Sequence, residues 1–194
     1  MSRFALLVAL SAALLSTGVG SAASRTRLEQ WVAFRAGSPA AGIHVLVRAR
    51  GSCTARSLAD PRDDAWRCVA AGQVQDPCFS DPRGGSFVLC PDGTPDSRDA
   101  IRLALTGPLP ARPATGPRTA TGGEPWVIET GGRYCYRVTA ATMVLAGRRL
   151  TYECAGAAAL AGSPDRAGSV WRVALLPSAA SPHFTTVAIS SAWW

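Results

Sequence analysis

Six cysteines, Cys53, Cys68, Cys78, Cys90, Cys135 and Cys154, constrain what this chain can fold into more than any other feature of it. None stands in a C-x-x-C pair, the close spacing that zinc sites use, and the two histidines, His44 and His183, lie far apart in sequence. That pattern argues against a metal and leaves disulfides as the use of these residues in an oxidising compartment. Fifteen connectivities are open to six cysteines. Proximity favours Cys53–Cys68, Cys78–Cys90 and Cys135–Cys154, each closing a short loop worth about 3 kcal/mol in the chain-entropy treatment.

The amino terminus agrees with export. Arg3 precedes an apolar run over residues 4–15, a Ser/Gly break follows, and Ser21-Ala22-Ala23 supplies the small residues a signal peptidase reads. Residues 1–23 are therefore expected to be a signal peptide cleaved after Ala23 or, second, after Ala22. The apolar run falls short of the ~20 residues needed to span a bilayer. Pro, Gly or Arg interrupts every later apolar stretch, so no transmembrane segment is expected after cleavage. The expected location is secreted, extracellular or in the cell envelope.

The formal charge is +7, all 20 basic residues are arginine, and lysine and asparagine are absent. A nucleic-acid footprint needs basic residues clustered on one face. Here the arginines are dispersed and residues 60–99 hold eight carboxylates against four arginines, so no specific nucleic-acid partner is expected. The dispersion favours ordinary solvated faces over a loose attraction to anionic wall polymers or lipid surfaces.

Hydrophobic periodicity is strand-like. Ile43, Val45, Val47 and Ala49 alternate with His44, Leu46, Arg48 and Arg50, and period-two runs recur near residues 101–105, 134–138, 150–154, 171–175 and 187–193. Gly131-Gly132 and Gly147 read as hairpin turns. These signals predict a mainly β, disulfide-stabilised chain. One short helix is expected near residues 61–68, with Asp60 as N-cap, Pro61 at the first position and acidic residues in the first turn. Residues 107–125, rich in Pro and Gly, read as a linker or long loop. They divide a four-cysteine β-rich half, residues 24–106, from a two-cysteine β-rich half, residues 126–194.

Catalytic signatures are weak. No G-x-S-x-G elbow occurs, the lack of lysine removes S-x-x-K, and the lack of asparagine removes a Cys-His-Asn triad. A Ser-His-Asp set built on His44 or His183 has no local signature behind it. Asp60, Asp63 and Asp64 are better explained by helix capping, and Asp76-Pro77 by a turn, than by a glycosidase carboxylate pair. No catalytic residue and no cofactor are therefore assigned. Asp76-Pro77-Cys78-Phe79 is expected to be a structural knot, with Asp76 accepting backbone N–H bonds and Phe79 sealing the Cys78–Cys90 loop. Of the tryptophans, Trp126 and Trp171 sit in strand patterns and are expected in the core. Trp193 and Trp194 point to opposite faces of a strand, so one ring is expected to be exposed and able to stack on a sugar or protein surface.

The segments Cys53-Thr54-Ala55-Arg56-Ser57-Leu58-Ala59, Asp64-Ala65-Trp66-Arg67-Cys68, Asp76-Pro77-Cys78-Phe79 and Val88-Leu89-Cys90-Pro91 resemble a group of secreted or envelope-associated six-cysteine proteins of actinobacterial type. Trp126-Val127-Ile128-Glu129, Cys135, residues 149–154, Trp171-Arg172-Val173 and Ala192-Trp193 extend the resemblance over most of residues 43–194. This chain has Thr54 where the group carries an aromatic residue. The resemblance implies the compartment and the disulfide-braced fold, and it implies no chemistry. The expectation is a non-enzymatic module that binds a wall polymer or an extracellular protein. A secreted hydrolase whose site forms only in three dimensions, or a protease-inhibitor-like scaffold, is the alternative.

Overall fold

The structure, a computed structural model, describes residues 25–111, 123–141 and 143–194. The expected signal peptide lies outside the described residues, as do residues 112–122 of the expected linker. Strand accounts for 53% of the described residues and helix for 4%, so the mainly β expectation holds. All three local disulfides are present: Cys53–Cys68, Cys78–Cys90 and Cys135–Cys154.

An amino-terminal strap carries β1 (Arg27–Glu29), β2 (Phe34–Arg35) and β3 (Ser38–Pro39), the last two forming a small hairpin. Five strands then close into a barrel: β4 (His44–Arg56), β5 (Ala65–Ala70), β6 (Gln73–Ser80), β7 (Phe87–Pro91) and β8 (Asp99–Leu105). Neighbours in sequence pair antiparallel, and the ring shuts where β8 lies parallel to β4. Inside it, Trp66, Cys68, Ala70, Val88, Cys90 and Leu103 pack around both barrel disulfides. Gly51 on β4 is required here. A Cβ at that position would sit 2.1 Å from the Val69 carbonyl oxygen and 3.0 Å from Leu103 Cδ1.

The second unit is a nine-stranded sheet of β1, β9 (Val127–Thr130), β10 (Arg133–Arg137), β11 (Val144–Leu145), β12 (Arg148–Cys154), β13 (Ala159–Asp165), β14 (Arg172–Leu176), β15 (Thr185–Ala188) and β16 (Ser191–Trp193). The expected hairpins are present, with Gly131-Gly132 between β9 and β10 and Ala146-Gly147 between β11 and β12. Only Ile189 and Ser190 separate β15 from β16, yet β15 pairs with β14 and β16 with β9. The sheet therefore curls so that one bent carboxy-terminal strand touches both of its ends. Ile128, Cys135, Tyr152, Leu160, Val173, Ile189 and Trp194 fill the concave side. β1 lies parallel to β16, so the strap belongs to this sheet and not to the barrel that follows it.

The helix expected near residues 61–68 is corrected. Residues 61–64 form a turn and residues 65–70 are β5. Asp60 does accept the Arg62 N–H at 2.8 Å, as a cap would, but Ala65 N–H then returns to Arg62 O at 3.2 Å and the chain leaves extended. Trp66, Cys68 and Ala70 all point inward, which a strand allows and a helix does not, and Cys68 lies in register opposite Cys53. The turn also pins the strap. Arg62 makes an ion pair with buried Asp60 at 3.2 Å, donates to Trp31 O at 3.2 Å and lies 4.0 Å over the Phe79 ring.

Barrel and sheet share a third packed cluster. Trp31 and Ala33 of the strap, Ala65, Phe79, Leu89 and Ala100 of the barrel, and Trp126, Val127 and Trp193 of the sheet are buried together.

Candidate functional site

Two tyrosines of β10 cross from the sheet to the barrel. Alternation along the strand puts Tyr134 and Tyr136 on one face. Tyr134 Oη donates to Asp96 Oδ2 at 2.5 Å and Tyr136 Oη donates to Gly93 O at 2.9 Å, so both grip the loop between β7 and β8. Within that loop Pro95–Ser97 form a 3-10 turn. The carboxylate that accepts the Tyr134 proton, helped by burial, pushes that phenol up to about 12. Burial raises Tyr136 as well. Both hydroxyls stay protonated at physiological pH and remain donors.

A cavity opens on each side of this loop. The larger, about 390 Å³, is walled by Pro77 and Pro91 of the barrel and Trp126 and Tyr136 of the sheet, with Gln75, Asp76 and Arg137 as its polar members. Three large apolar side chains stand exposed around it: Val74 and Tyr136 line it, and Leu58 follows Ser57, whose hydroxyl donates to Asp76. Asp76 is occupied. It accepts the Ser57 hydroxyl and the Leu58 N–H at 3.2 Å, and it pairs with Arg67 at 3.0 Å. Arg137 pairs with Glu124 at 3.3 Å and donates to Ala59 O at 3.4 Å. Trp126 is different: its Nε1–H is buried and has no acceptor among the described residues. Burying such a donor unpaired costs on the order of 1–3 kcal/mol.

The smaller cavity, about 120 Å³, is bordered by Glu29, Trp31, Pro95, Asp96, Arg98 and Trp193. Two of its residues carry further buried donors without acceptors among the described residues, Trp31 Nε1–H and Arg98 Nε–H. Arg98 has φ 56°, a left-handed conformation that costs a non-glycine residue free energy and concentrates at functional sites.

A third cavity of about 490 Å³ lies at the Gly131-Gly132 turn and includes Glu129, Arg133 and Ser190. The neighbouring Ser191 donates to Glu129 at 2.9 Å and accepts from Arg27 at 2.9 and 3.1 Å, which uses the hydroxyl fully.

The expectation that one terminal tryptophan is exposed is overturned: Trp193 and Trp194 are each 3% exposed. Their alternation is as expected, since Trp193 faces the cluster shared with the barrel and Trp194 the hollow of the sheet. Both faces are covered at this point. Trp194 meets Trp171 edge-on at 5.8 Å and donates its indole N–H to Gly123 O at 3.2 Å. Trp126 is in the core as expected, whereas Trp171 is partly buried beneath the Arg166 guanidinium at 4.7 Å. His44 and His183 are exposed and neither borders these three cavities. Asp76-Pro77 lies within β6 and not in a turn, and the backbone N–H groups that Asp76 receives come from the loop after β4. Phe79 is fully buried and stacks on Trp31 at 5.3 Å.

Trp31, Arg98, Tyr134 and Tyr136 carried no site signal in the sequence beyond the strand alternation of the two tyrosines. They meet only because strap, barrel and sheet converge. No protein-family model matches the chain, and searches of curated proteins and of solved structures return no match either.

Proposed function

We propose that this protein is an exported, non-enzymatic binding module of the extracellular space or cell envelope, and that it holds a segment of wall polymer along the seam between barrel and curled sheet. One observation carries the reading. The seam contains a cavity with proline and aromatic walls and an apolar rim, and Trp126 on its wall carries a buried N–H with no acceptor among the described residues. Ligand sites favour such junctions, apolar in the main with a few fixed polar groups. The three disulfides fit an oxidising compartment. The polar groups of the cavity support binding better than catalysis, because Asp76 and Arg137 are tied to the protein itself.

Retention on isolated cell wall tests the proposal. Leu58→Ser and Val74→Ser alter the exposed rim while leaving the core clusters and the Tyr136–Gly93 contact intact. Each should reduce retention at unchanged melting temperature. Wild-type protein that ignores the wall, or rim variants that bind as wild type does, would refute it.

A further inference from the structure

The smaller cavity sits across the Tyr134–Asp96 contact from the proposed binding cleft, and its chemistry is more specific. Trp31 and Arg98 border one space, and each carries a buried donor, Nε1–H and Nε–H, with no acceptor among the described residues. Native proteins pair nearly all such groups with protein or with ordered water. Two carboxylates, Glu29 and Asp96, border the same space. A ligand anion entering here would meet both of them, and a cation would meet Arg98. A neutral group carrying an acceptor and a donor side by side satisfies both sets.

An amide is such a group. Its carbonyl oxygen can accept from Trp31 and Arg98 while its N–H donates to a carboxylate. Its flat faces suit a wall that includes the indoles of Trp31 and Trp193. At about 30 Å³ per water-sized group, 120 Å³ has room for about four non-hydrogen atoms, the size of an acetamido substituent. The left-handed Arg98 backbone holds the side chain beside the Gly42 turn, where a Cβ on Gly42 would lie 3.7 Å from Arg98 Nε. We propose that this cavity is a subsite for the acetamido group of an N-acetylated amino-sugar polymer. The inference rests on the wall-polymer reading above and names the part of the polymer that is recognised.

The purified, disulfide-bonded protein is titrated with the N-acetylglucosamine trimer, with the fully deacetylated glucosamine trimer, and with an N-acetyl dipeptide amide. Affinity is read by calorimetry, and the ¹H–¹⁵N resonance of the Trp31 indole is followed. The acetylated trimer is expected to bind and to shift that resonance, the other two to do neither. Trp31→Phe keeps a ring and deletes the N–H. Arg98→Asn deletes the guanidinium and keeps a residue that tolerates the left-handed backbone. Each should weaken the trimer about tenfold, the loss of one hydrogen bond. If Trp31→Phe fails to fold, Arg98→Asn alone decides the matter. Equal binding of the deacetylated trimer or the peptide, or an unmoved Trp31 resonance, would overturn the subsite. Wall retention without trimer binding refutes the subsite and leaves the seam reading standing, whereas loss of both refutes both.

Discussion

The barrel takes all five strands from one continuous stretch and closes where its first and last strands pair, whereas the curled sheet borrows its edge from residues 27–29 and ends on residues 191–193. Two disulfides lie inside the barrel and one inside the sheet. Closing the barrel joins residues within about sixty positions of one another. Closing the sheet joins strands more than 160 positions apart, and among the described residues Thr26, β1, Trp31 and the terminal tryptophans hold that seam. Loop entropy grows slowly with length, so the longer closure is not much costlier at equilibrium. It is more exposed to the loss of single contacts, because few groups carry it.

Trp194→Ala attacks the long closure and should have the largest effect. It removes a buried ring from the hollow of the sheet, the indole bond to Gly123 and the contact with Trp171, for about 4 kcal/mol. Calorimetry should show one transition at lower temperature, since the shared cluster ties the two units together. Two resolved transitions, with the barrel's unmoved, would show that the cluster does not couple them.

Gly51→Ala strikes the short closure. The added methyl meets the Val69 carbonyl, which is backbone and cannot swing aside, so a loss of about 3 kcal/mol is expected. Wild-type stability in urea would mean that β4 and β5 can part at no cost, contrary to a closed ring.

Thr26→Val tests a single clasp. Thr26 Oγ1 donates to Ile189 O at 2.7 Å and accepts the Trp171 N–H at 2.8 Å, stitching the strap to the start of β14 and to the bend between β15 and β16. The isosteric valine leaves two partners unpaired, and a loss of about 2 kcal/mol is expected. Faster amide exchange should follow in β1 and β16 and not in the barrel strands.

Asp60 gives the smallest effect, and a pH-dependent one. Burial raises its carboxyl above the ordinary 3.8, opposed by Arg62. The folded state therefore holds the proton more tightly than the unfolded state. The contribution to stability is complete below pH 3.8 and is lost as pH rises through the folded value. Asp60→Asn should remove this decline, so melting temperature plotted against pH falls less steeply above 3.8 in the variant than in wild type. Parallel curves would assign the burial cost elsewhere.

Strands with β-branched or aromatic alternation were legible in the sequence: β4, β8, β10, β12, β14 and β15–β16, together with both glycine hairpins. β5 was hidden because Asp60-Pro61 followed by acidic residues imitates a helix start. β6 was hidden because Asp76-Pro77 imitates a turn. β13 has Leu160 as its single large apolar residue and so no apolar period to detect. Of the candidate site, only the tyrosine alternation could be read, because the seam joins residues 29–31, 74–77, 91–98, 126–137 and 193.

By itself the sequence favoured, among fifteen connectivities, the local disulfide pairing that the structure shows, and it marked the glycine turns. In a chain where neighbouring strands pair antiparallel, cysteines close in sequence fall opposite one another, and glycine marks the tight turns. Only the tertiary structure decided which faces are covered. The bulge at Leu46 sends Val45 towards the shared cluster and Ala49 into the barrel, although their even spacing places both on one face of an unbroken strand. Trp193 and Trp194 likewise alternate as their spacing requires, yet both are buried. A period of two says that neighbours point apart, and what waits on either side depends on elements the local pattern does not contain.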